Sequence, residues 1–308
     1  MIARSRLQRN NMQETKLYGG KVTVRFNPET HVYTVDAGEG KFARKVGCTT
    51  VTGILDKSGA LIPWAVGLAV DFVKEHKELL DGNDSDEIFA LAEEEAEKKK
   101  NEASDLGTLV HTWVSNDILG VAQDMPDDER VVRGAMAWLD WRDAHKAKIT
   151  RSETPVYSLE HDYVGTLDFT ANITSCGGMC CGETAKGTKL NVLGDIKTGN
   201  NIYESHGMQT AGYHSALVEE TKEKFDGRVI VRLSKETEED FNERMAKKNA
   251  KREKQGKKTF DAKFHVVETV WMDAGEGLEE DTKAFINALG LYRWQYQASK
   301  RLKLAKGL

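Results

Sequence analysis

The sequence predicts an α/β protein in which a central mixed sheet is flanked by helices. Apolar residues repeat at every second position in several short segments, as in strands, and these segments alternate with longer ones of helical period. Hydrophobic residues make up 39% of the 308 residues, which is enough for a core, while 30% are charged. The composition argues against a globally disordered chain, and we expect no membrane span, because no apolar run is long enough.

The N-terminal third is predicted to contain an arm, a hairpin and helices. Residues 1–17 carry three arginines and no acid before position 14, so we expect a flexible basic arm, with a disordered tail favoured over a DNA-contacting one. Alternation over residues 20–36 predicts a β-hairpin. Pro63 suits the first position of a helix, a turn is expected at 81–86, most of which lies outside the residues that the structure describes, and helical pattern follows to about residue 120. We assign residues 18–104 to an extension that packs on the core.

The core is predicted to span residues 105–308. It opens with helical pattern that includes an amphipathic helix at 127–148, after which the period changes to two. The remaining elements are expected in the order strand, strand, helix, strand, strand and helix, at 154–173, 189–198, 203–223, 227–234, 264–272 and 279–303.

A basic segment at 247–263 separates the last two predicted strands. It holds eight basic residues against two acidic ones. We favour a flexible, solvated insertion, and the alternative is a loop that contacts DNA phosphates, because clustered cations release counterions from DNA. The residues that would make such contacts are Lys251, Arg252, Lys254, Lys257 and Lys258.

Overall charge and cysteine content limit the environment of the protein. The formal net charge is −5, which argues against a uniformly basic nucleic-acid-binding surface but allows a locally basic groove. Only four cysteines are present, which argues against a disulfide framework and for a reducing compartment. We therefore expect a cytoplasmic protein.

Two acids and a lysine are predicted to meet on the sheet. Asp195 and Lys197 are two residues apart on a predicted strand, so their side chains share one face. If the preceding strand pairs with it in antiparallel fashion, Asp168 lies beside them. Such a patch suits Mg²⁺, which prefers carboxylate oxygens, and the lysine could offset negative charge on a phosphate. The alternative is an ordinary surface Asp–Lys pair, because the pattern Asp-x-Lys is very common by itself.

Further motifs surround these three residues. A glycine precedes the first acid by three positions, a Gln-x-x-x-Tyr pair follows on a predicted helix, and GTLVH (107–111) ends in a histidine. Together the order and spacing resemble the PD-(D/E)XK nuclease superfamily, and within it the RecB-type exonucleases. The residues that carry the resemblance are His111, Gly165, Asp168, Asp195, Lys197, Gln209 and Tyr213.

The resemblance implies a restriction-endonuclease-like core and a role for each motif residue. Asp168, Asp195 and His111 would bind metal together with the carbonyl of Ile196, and Lys197 would be the catalytic lysine. The second acid is an aspartate where glutamate is commoner, which shortens its reach.

Three further residues have roles that remain open between two readings. Glu153 would be a further acid, with an ordinary surface glutamate as the alternative. Gln209 and Tyr213 lie on one helix face and could contact phosphate or steer the lysine, whereas packing against the sheet is the alternative, above all for Tyr213.

The function implied by the resemblance is a Mg²⁺-dependent DNA exonuclease, with Mn²⁺ able to substitute, in recombination, repair or genome processing. Its partners would be single-stranded or duplex DNA ends and a recombination or single-strand-binding protein. The likeness to phage-type members suggests a phage origin, in which case the protein would act in the host cytoplasm. The alternatives are a structure-specific or flap endonuclease and a catalytically silent DNA-binding or scaffolding member.

Three cysteines, Cys176, Cys180 and Cys181, fall in the Gly-rich segment between the two predicted catalytic strands. Some RecB-type relatives hold an iron–sulfur cluster, but their cysteines flank the core instead. The spacing Cys-x-x-x-Cys-Cys matches no standard zinc or cluster motif. We therefore expect neither an iron–sulfur cluster nor zinc at these thiols.

Overall fold

The computed structural model describes residues 12–77 and 85–306, and the predicted α/β class is confirmed over them. One mixed sheet joins nine strands within these ranges. The strands are β1 (Gln13–Leu17), β2 (Val22–Asn27), β3 (Val32–Asp36), β4 (Ala43–Gly47), β5 (Lys148–Ser158), β6 (Tyr163–Thr174), β7 (Lys189–Lys197), β8 (Gly227–Leu233) and β9 (Val267–Asp273).

Seven α-helices accompany the sheet in the same ranges. None of the helices described there combines the length and apolar character that crossing a membrane requires. The helices are α1 (Cys48–Thr52), α2 (Ser58–Glu75), α3 (Ser85–Ile118), α4 (Glu129–Ala144), α5 (Glu204–Thr221), α6 (Glu238–Lys254) and α7 (Glu276–Ala305).

Strand β6 is the centre of the sheet. Strands β1 to β4 form an antiparallel ribbon, and β4 joins the start of β6 in parallel fashion at Tyr163 and Val164. β5 pairs antiparallel along one edge of β6, and β7 pairs antiparallel with its second half, from Phe169 onward. β8 then continues parallel to β7, and β9 closes the sheet antiparallel to β8.

Hydrophobic cores lie on both faces of the sheet. One contains Trp138 of α4 and Val192 of β7, and the other contains Phe285 of α7 and Leu193 of β7. Because consecutive residues of a strand point to opposite faces, these cores sandwich β7. The strand that carries two of the predicted catalytic residues is thus fixed from both sides.

The predicted strands and helices of the core are all found, with shifted ends. The segment predicted as one strand over 154–173 is instead two strands, β5 and β6, because a turn at 159–162 divides it, and β5 begins earlier, at Lys148. The N-terminal hairpin is also confirmed, as β2 and β3. The short strand β4 and helix α1 were not predicted, because they lie between the predicted hairpin and the helix at Pro63, where glycines recur and periodicity is weak.

The flexible basic arm predicted over 1–17 does not include its last five residues. Residues 1–11 lie outside the described residues, but Gln13–Leu17 form β1, which pairs along its length with β2 and buries Leu17. The prediction of a flexible segment was therefore wrong for these five residues, because the ladder to β2 orders their backbone.

The helix predicted to begin at Pro63 starts earlier, at Ser58, so that this proline lies inside α2. Trp64, the next residue of this helix, is exposed. Only the first four amides of a helix lack intrahelical partners, and the amide of Leu61 already donates to the carbonyl of Lys57, so Pro63 omits one hydrogen bond that the helix would otherwise make.

The basic segment at 247–263 is a loop only in its second half, since residues 247–254 are the last turns of α6 and the exposed residues 257–263 form neither helix nor strand. The helix is stabilised at its start by a capping box between Thr237 and Asp240. Acidic residues occupy its first turn and basic residues its last, which matches the helix dipole. The cations are therefore displayed at a helix end.

Candidate active site

A row of three acids crosses the sheet. The register of β6 with β7 ends at the pair Phe169 and Gly194, so Asp168 and Asp195 follow one step beyond this pair. On the other edge of β6, Ser152 and Thr154 pair with Phe169 and Leu167, which places Glu153 opposite Asp168. The antiparallel pairing that the sequence reasoning required is therefore present, and Asp168 lies between two other acids.

Glu153 holds a backbone conformation that non-glycine residues seldom adopt, with φ of 42°. It follows a register shift in β5 between Ile149 and Arg151, which sets which residue of β5 lies opposite Asp168. Of the two interpretations left open for Glu153, this placement favours an acid of the site. The signal in sequence was only its position shortly before the first strand acid.

His111 reaches the acids from helix α3. Its Nδ1 is 4.0 Å from Oδ2 of Asp168, and donor atoms of His111, Glu153 and Asp168 all lie within 4.8 Å of one another. Burial, together with the charge of Lys197, lowers the pKa of His111 to about 4. The imidazole is therefore neutral at physiological pH, with a lone pair available for a metal ion.

Asp195 and Lys197 form a buried ion pair. The Lys197 ammonium lies 2.7 Å from Oδ2 of Asp195, whose side chain is 0% exposed. Apart from this ammonium, neither carboxylate oxygen of Asp195 has a partner among the described residues. A buried carboxylate with so few partners is costly, and a bound cation would satisfy it.

The electrostatics of the row show the crowding of like charges. Burial raises the pKa of Asp195 to about 6, with Lys197 opposing the rise and Asp168 adding to it. The pKa of Asp168 is also raised by burial, against the charge of Lys197 and a hydrogen bond of 2.6 Å that its Oδ2 accepts from the backbone of Ile196.

Glu153 and Lys197 complete this picture. The Glu153 side chain reaches solvent on one side, yet desolvation and the charges of the two aspartates raise its pKa to about 8. Burial lowers the pKa of the Lys197 ammonium, but the negative charges of Asp195 and Asp168 have the larger effect, and the pKa is raised. Lys197 therefore stays charged, and its ammonium is the one positive charge that the described residues place beside these three carboxyl groups.

Helix α5 holds the lysine through a short relay. Lys197 donates to Oε1 of Gln209 at 3.3 Å, and Gln209 donates to the hydroxyl of Tyr213 at 2.8 Å. Both partners are buried. Of the alternatives left open by the sequence, the geometry favours steering of the lysine for Gln209. For Tyr213 both alternatives hold, because its ring packs in the core while its hydroxyl accepts a hydrogen bond from the side-chain amide of Gln209.

Gly165 is needed for this packing. A Cβ atom at Gly165 would stand 2.6 Å from Cε1 of Tyr213 and 2.9 Å from Sγ of Cys48. The glycine of the Gly-x-x-Asp motif thus lets the tyrosine ring lie against β6. This is a structural reason for that residue type at this position, independent of chemistry.

Two lysines near the site were not found by sequence reasoning. The charge of Lys235, just after β8, lowers the pKa of His111, and that of Lys57, just before α2, lowers the pKa of His206. His206 itself accepts a hydrogen bond of 3.2 Å from the backbone of Tyr203 at the start of α5. No local motif marks these lysines, because only the tertiary fold brings them near.

The five basic residues offered for phosphate contact, Lys251, Arg252, Lys254, Lys257 and Lys258, lie at the end of α6 and in the segment that follows. Arg252 packs its guanidinium over the ring of Phe260 and donates to the carbonyl of Lys258 at 2.5 Å. The structure does not bring this cluster into contact with the acids, so a role in DNA binding stays a prediction.

Comparison with known proteins adds nothing to this geometry. The chain matches no model of a known protein family, and no curated protein matches it significantly.

Proposed function

We propose that this protein is a DNA nuclease with a restriction-endonuclease-like core, and that it acts as a Mg²⁺-dependent exonuclease. The observation that carries the proposal is the row of Glu153, Asp168 and Asp195 across three adjacent strands, with Lys197 paired to its last member. Buried like charges are costly, and perturbed pKa values of this kind cluster at functional sites.

The donor set suits a hard divalent cation. Asp168 and Asp195 would hold it, with Glu153 and His111 beside them and the carbonyl of Ile196 added by the family resemblance. The oxygens of Asp195, which have no described partner besides the Lys197 ammonium, support this assignment. Carboxylate oxygens suit Mg²⁺ and Mn²⁺ alike, which agrees with the expected exchange of the two ions. When bound, the ion supplies Lewis-acid stabilisation of a phosphoryl oxygen and lowers the pKa of water.

Lys197 supplies a fixed positive charge beside the acids. Asp195 holds the ammonium at 2.7 Å, and Gln209 holds it at 3.3 Å. A charge positioned in advance stabilises negative charge that develops on a phosphate without the cost of reorganisation. The lysine therefore acts on the transition state, while Gln209 and Tyr213 position it.

The surroundings favour a phosphate-rich substrate. Lys57 and Lys235 add positive charge near the site, although the whole chain has a formal net charge of −5. A local positive potential attracts a polyanion even when the net charge is negative. The preference for DNA ends over internal positions comes from the resemblance to RecB-type exonucleases.

A cleavage assay tests the proposal. The substrates are 5′- and 3′-labelled single-stranded and duplex DNA and closed circles, each with Mg²⁺, Mn²⁺ or EDTA. We expect metal-dependent loss of the linear substrates only, and no cleavage by Lys197→Ala. Lys189→Ala is a matched control, because this exposed lysine lies at the other end of the same strand β7 and should leave activity unchanged.

The other outcomes are equally informative. Cleavage of circles would replace the exonuclease by a structure-specific endonuclease. DNA binding without cleavage by the wild type, in either metal, would contradict the enzymatic proposal and indicate a silent DNA-binding member. Full activity of Lys197→Ala would refute the assigned mechanism.

A further inference from the structure

The turn between β6 and β7 brings four metal-binding side chains together at the opposite end of the hairpin from the acids. They are Cys176, Cys180, Cys181 and His145, and one donor atom from each lies within 4.8 Å of all the others. His145 follows directly on α4, and its carbonyl accepts a hydrogen bond of 2.7 Å from the backbone of Thr174 at the end of β6. We propose that this cluster is a structural zinc site with three thiolate ligands and one imidazole.

The distances suit one tetrahedral ion. A Zn–S bond of about 2.3 Å implies sulfur atoms about 3.8 Å apart at the corners of a tetrahedron. Sγ of Cys180 is 3.8 Å from Sγ of Cys181 and 3.8 Å from Nε2 of His145. Sγ of Cys176 is closer, at 3.5 Å from Cys181 and 2.9 Å from Cys180. Cys176 is exposed, so it can move outward to the required distance.

The imidazole is already oriented as a ligand. Nδ1 of His145 lies 2.9 Å from the carbonyl oxygen of Trp141. A carbonyl can only accept, so Nδ1 carries the proton and Nε2 presents its lone pair to the sulfur atoms. This hydrogen bond to a backbone carbonyl is the outer contact that zinc-bound histidines usually make. The ring is buried and stacked on that of Trp141.

The turn also stabilises thiolates through backbone amides. The amide of Gly178 donates to Sγ of Cys176 at 3.4 Å, and that of Cys176 donates to Sγ of Cys181 at 3.4 Å. Gly177 and Gly182 adopt positive φ angles of 85° and 63°, which favour glycine. The glycines of Cys-Gly-Gly-Met-Cys-Cys-Gly thus allow a turn whose backbone amides point at the sulfur atoms.

The adjacency of two cysteines, which argued against a metal in the sequence, is resolved by the fold. Cys181 is buried in the core on one side of the sheet, while Cys180 is half-buried at its edge, yet both sulfur atoms face the same space. The fourth ligand could not be recognised from spacing, because His145 belongs to a different element. The sulfur and nitrogen donor atoms lie too close together to enclose the several irons and sulfides of an iron–sulfur cluster. Their spacing therefore favours a single ion.

Metal analysis of the purified, reduced protein tests the proposal without any activity assay. We expect one zinc per chain, retained on dialysis against a weak chelator. After replacement by Co²⁺ we expect the absorption of a tetrahedral ion with thiolate-to-metal charge transfer. Cys176→Ser should lower the zinc affinity by more than roughly 100-fold, since loss of a ligand exceeds loss of an outer contact. Its exposed position means that the fold should survive.

Two controls separate this site from other metal binding. Cys48→Ala removes the remaining cysteine, which is buried elsewhere, and should keep the zinc. His111→Ala alters the acidic site and should keep it too. His145→Ala tests the fourth ligand and should weaken zinc binding as Cys176→Ser does.

Three results would overturn the proposal. They are a reduced protein that binds neither zinc nor Co²⁺, a zinc content that Cys176→Ser and His145→Ala leave unchanged, and a Co²⁺ complex without thiolate charge transfer. None of them bears on the nuclease proposal, because the acids of that site are not involved.

Discussion

Replacing Asp195 by asparagine should make the metal-free protein more stable while it abolishes cleavage. The side chain is fully buried, and burial raises its pKa in the folded protein to about 6 from an ordinary value of 3.8. This difference corresponds to about 3 kcal/mol of folding free energy that the ionised carboxylate costs, with its pairing to Lys197 already included. Asparagine has the same shape and carries no charge, so it avoids that cost.

The pH dependence follows from the direction of the pKa change. Because the pKa of Asp195 is higher in the folded protein, the folded state keeps a proton that the unfolded chain releases. This contribution to stability is fully present below about pH 4 and is lost as the pH rises through about 6. Wild type and Asp195→Asn should thus be equally stable near pH 4 and differ by up to about 3 kcal/mol above pH 7.

Urea denaturation in EDTA at several pH values measures this difference, and Mg²⁺ provides a second test. Added Mg²⁺ should stabilise the wild type, because an ion that binds only the folded state shifts the equilibrium, but should stabilise the variant much less. Asp128→Asn is the matched control, because Arg130 holds the pKa of Asp128 down to about 2. Its carboxylate is stabilising above its unfolded pKa, so this variant should lose stability near neutral pH.

The reasoning would be refuted if Asp195→Asn in EDTA were as stable as the wild type, or less stable, at pH 8. Such a result would mean that the attraction between Asp195 and Lys197 offsets the free energy that burial of both charges costs. The acid would then be a structural partner of the lysine, and the case for a metal ligand would lose its electrostatic support.

Three further predictions address the relay, the packing and the basic cluster. Gln209→Leu should lower turnover by up to roughly 100-fold with little change in DNA affinity, because Lys197 loses its positioning partner; equal loss in affinity would contradict this. Gly165→Ala should cost about 1–3 kcal/mol in a denaturation experiment through overlap with Tyr213, whereas Gly290→Ala, in open space within α7, should not destabilise. The third prediction replaces five basic residues by glutamine, namely Lys251, Arg252, Lys254, Lys257 and Lys258. The variant should show a weaker dependence of DNA affinity on salt concentration, and an unchanged dependence would exclude these residues from the interface.

The sequence predicted most of the core because its signals are local. Alternation located the strands that bear Asp168 and Asp195, and the helical spacing of Gln209 and Tyr213 placed them on one face. The position of Glu153 was less certain, since it depends on a register shift at Ile149 that no periodicity reveals. Pairing across strands, rather than strand content, decides which acids meet.

Errors in the prediction arose where tertiary contacts outweigh local pattern. Strand β1 forms because β2 offers a ladder, although its residues look like the end of a charged arm. The basic end of α6 is helical because its cap and dipole favour the helix, whereas composition alone suggested a loop. His145 joins the cysteines only because the end of α4 is tied to the end of β6.

The two proposed metal sites occupy opposite ends of the same pair of strands, and this arrangement gives the last prediction. Asp168 and Thr174 are six steps apart along β6, which is about 20 Å of extended chain. Removing zinc, by Cys176→Ser or a thiol reagent, should speed hydrogen exchange in residues 175–188, because the turn loses its cross-link. Most residues of the ladder between Phe169 and Thr174 are buried, so its amides and the Mg²⁺-dependent cleavage should be unaffected. Loss of cleavage with the ladder still protected would contradict this separation, because the zinc site would then act on the acids by a route other than the strands.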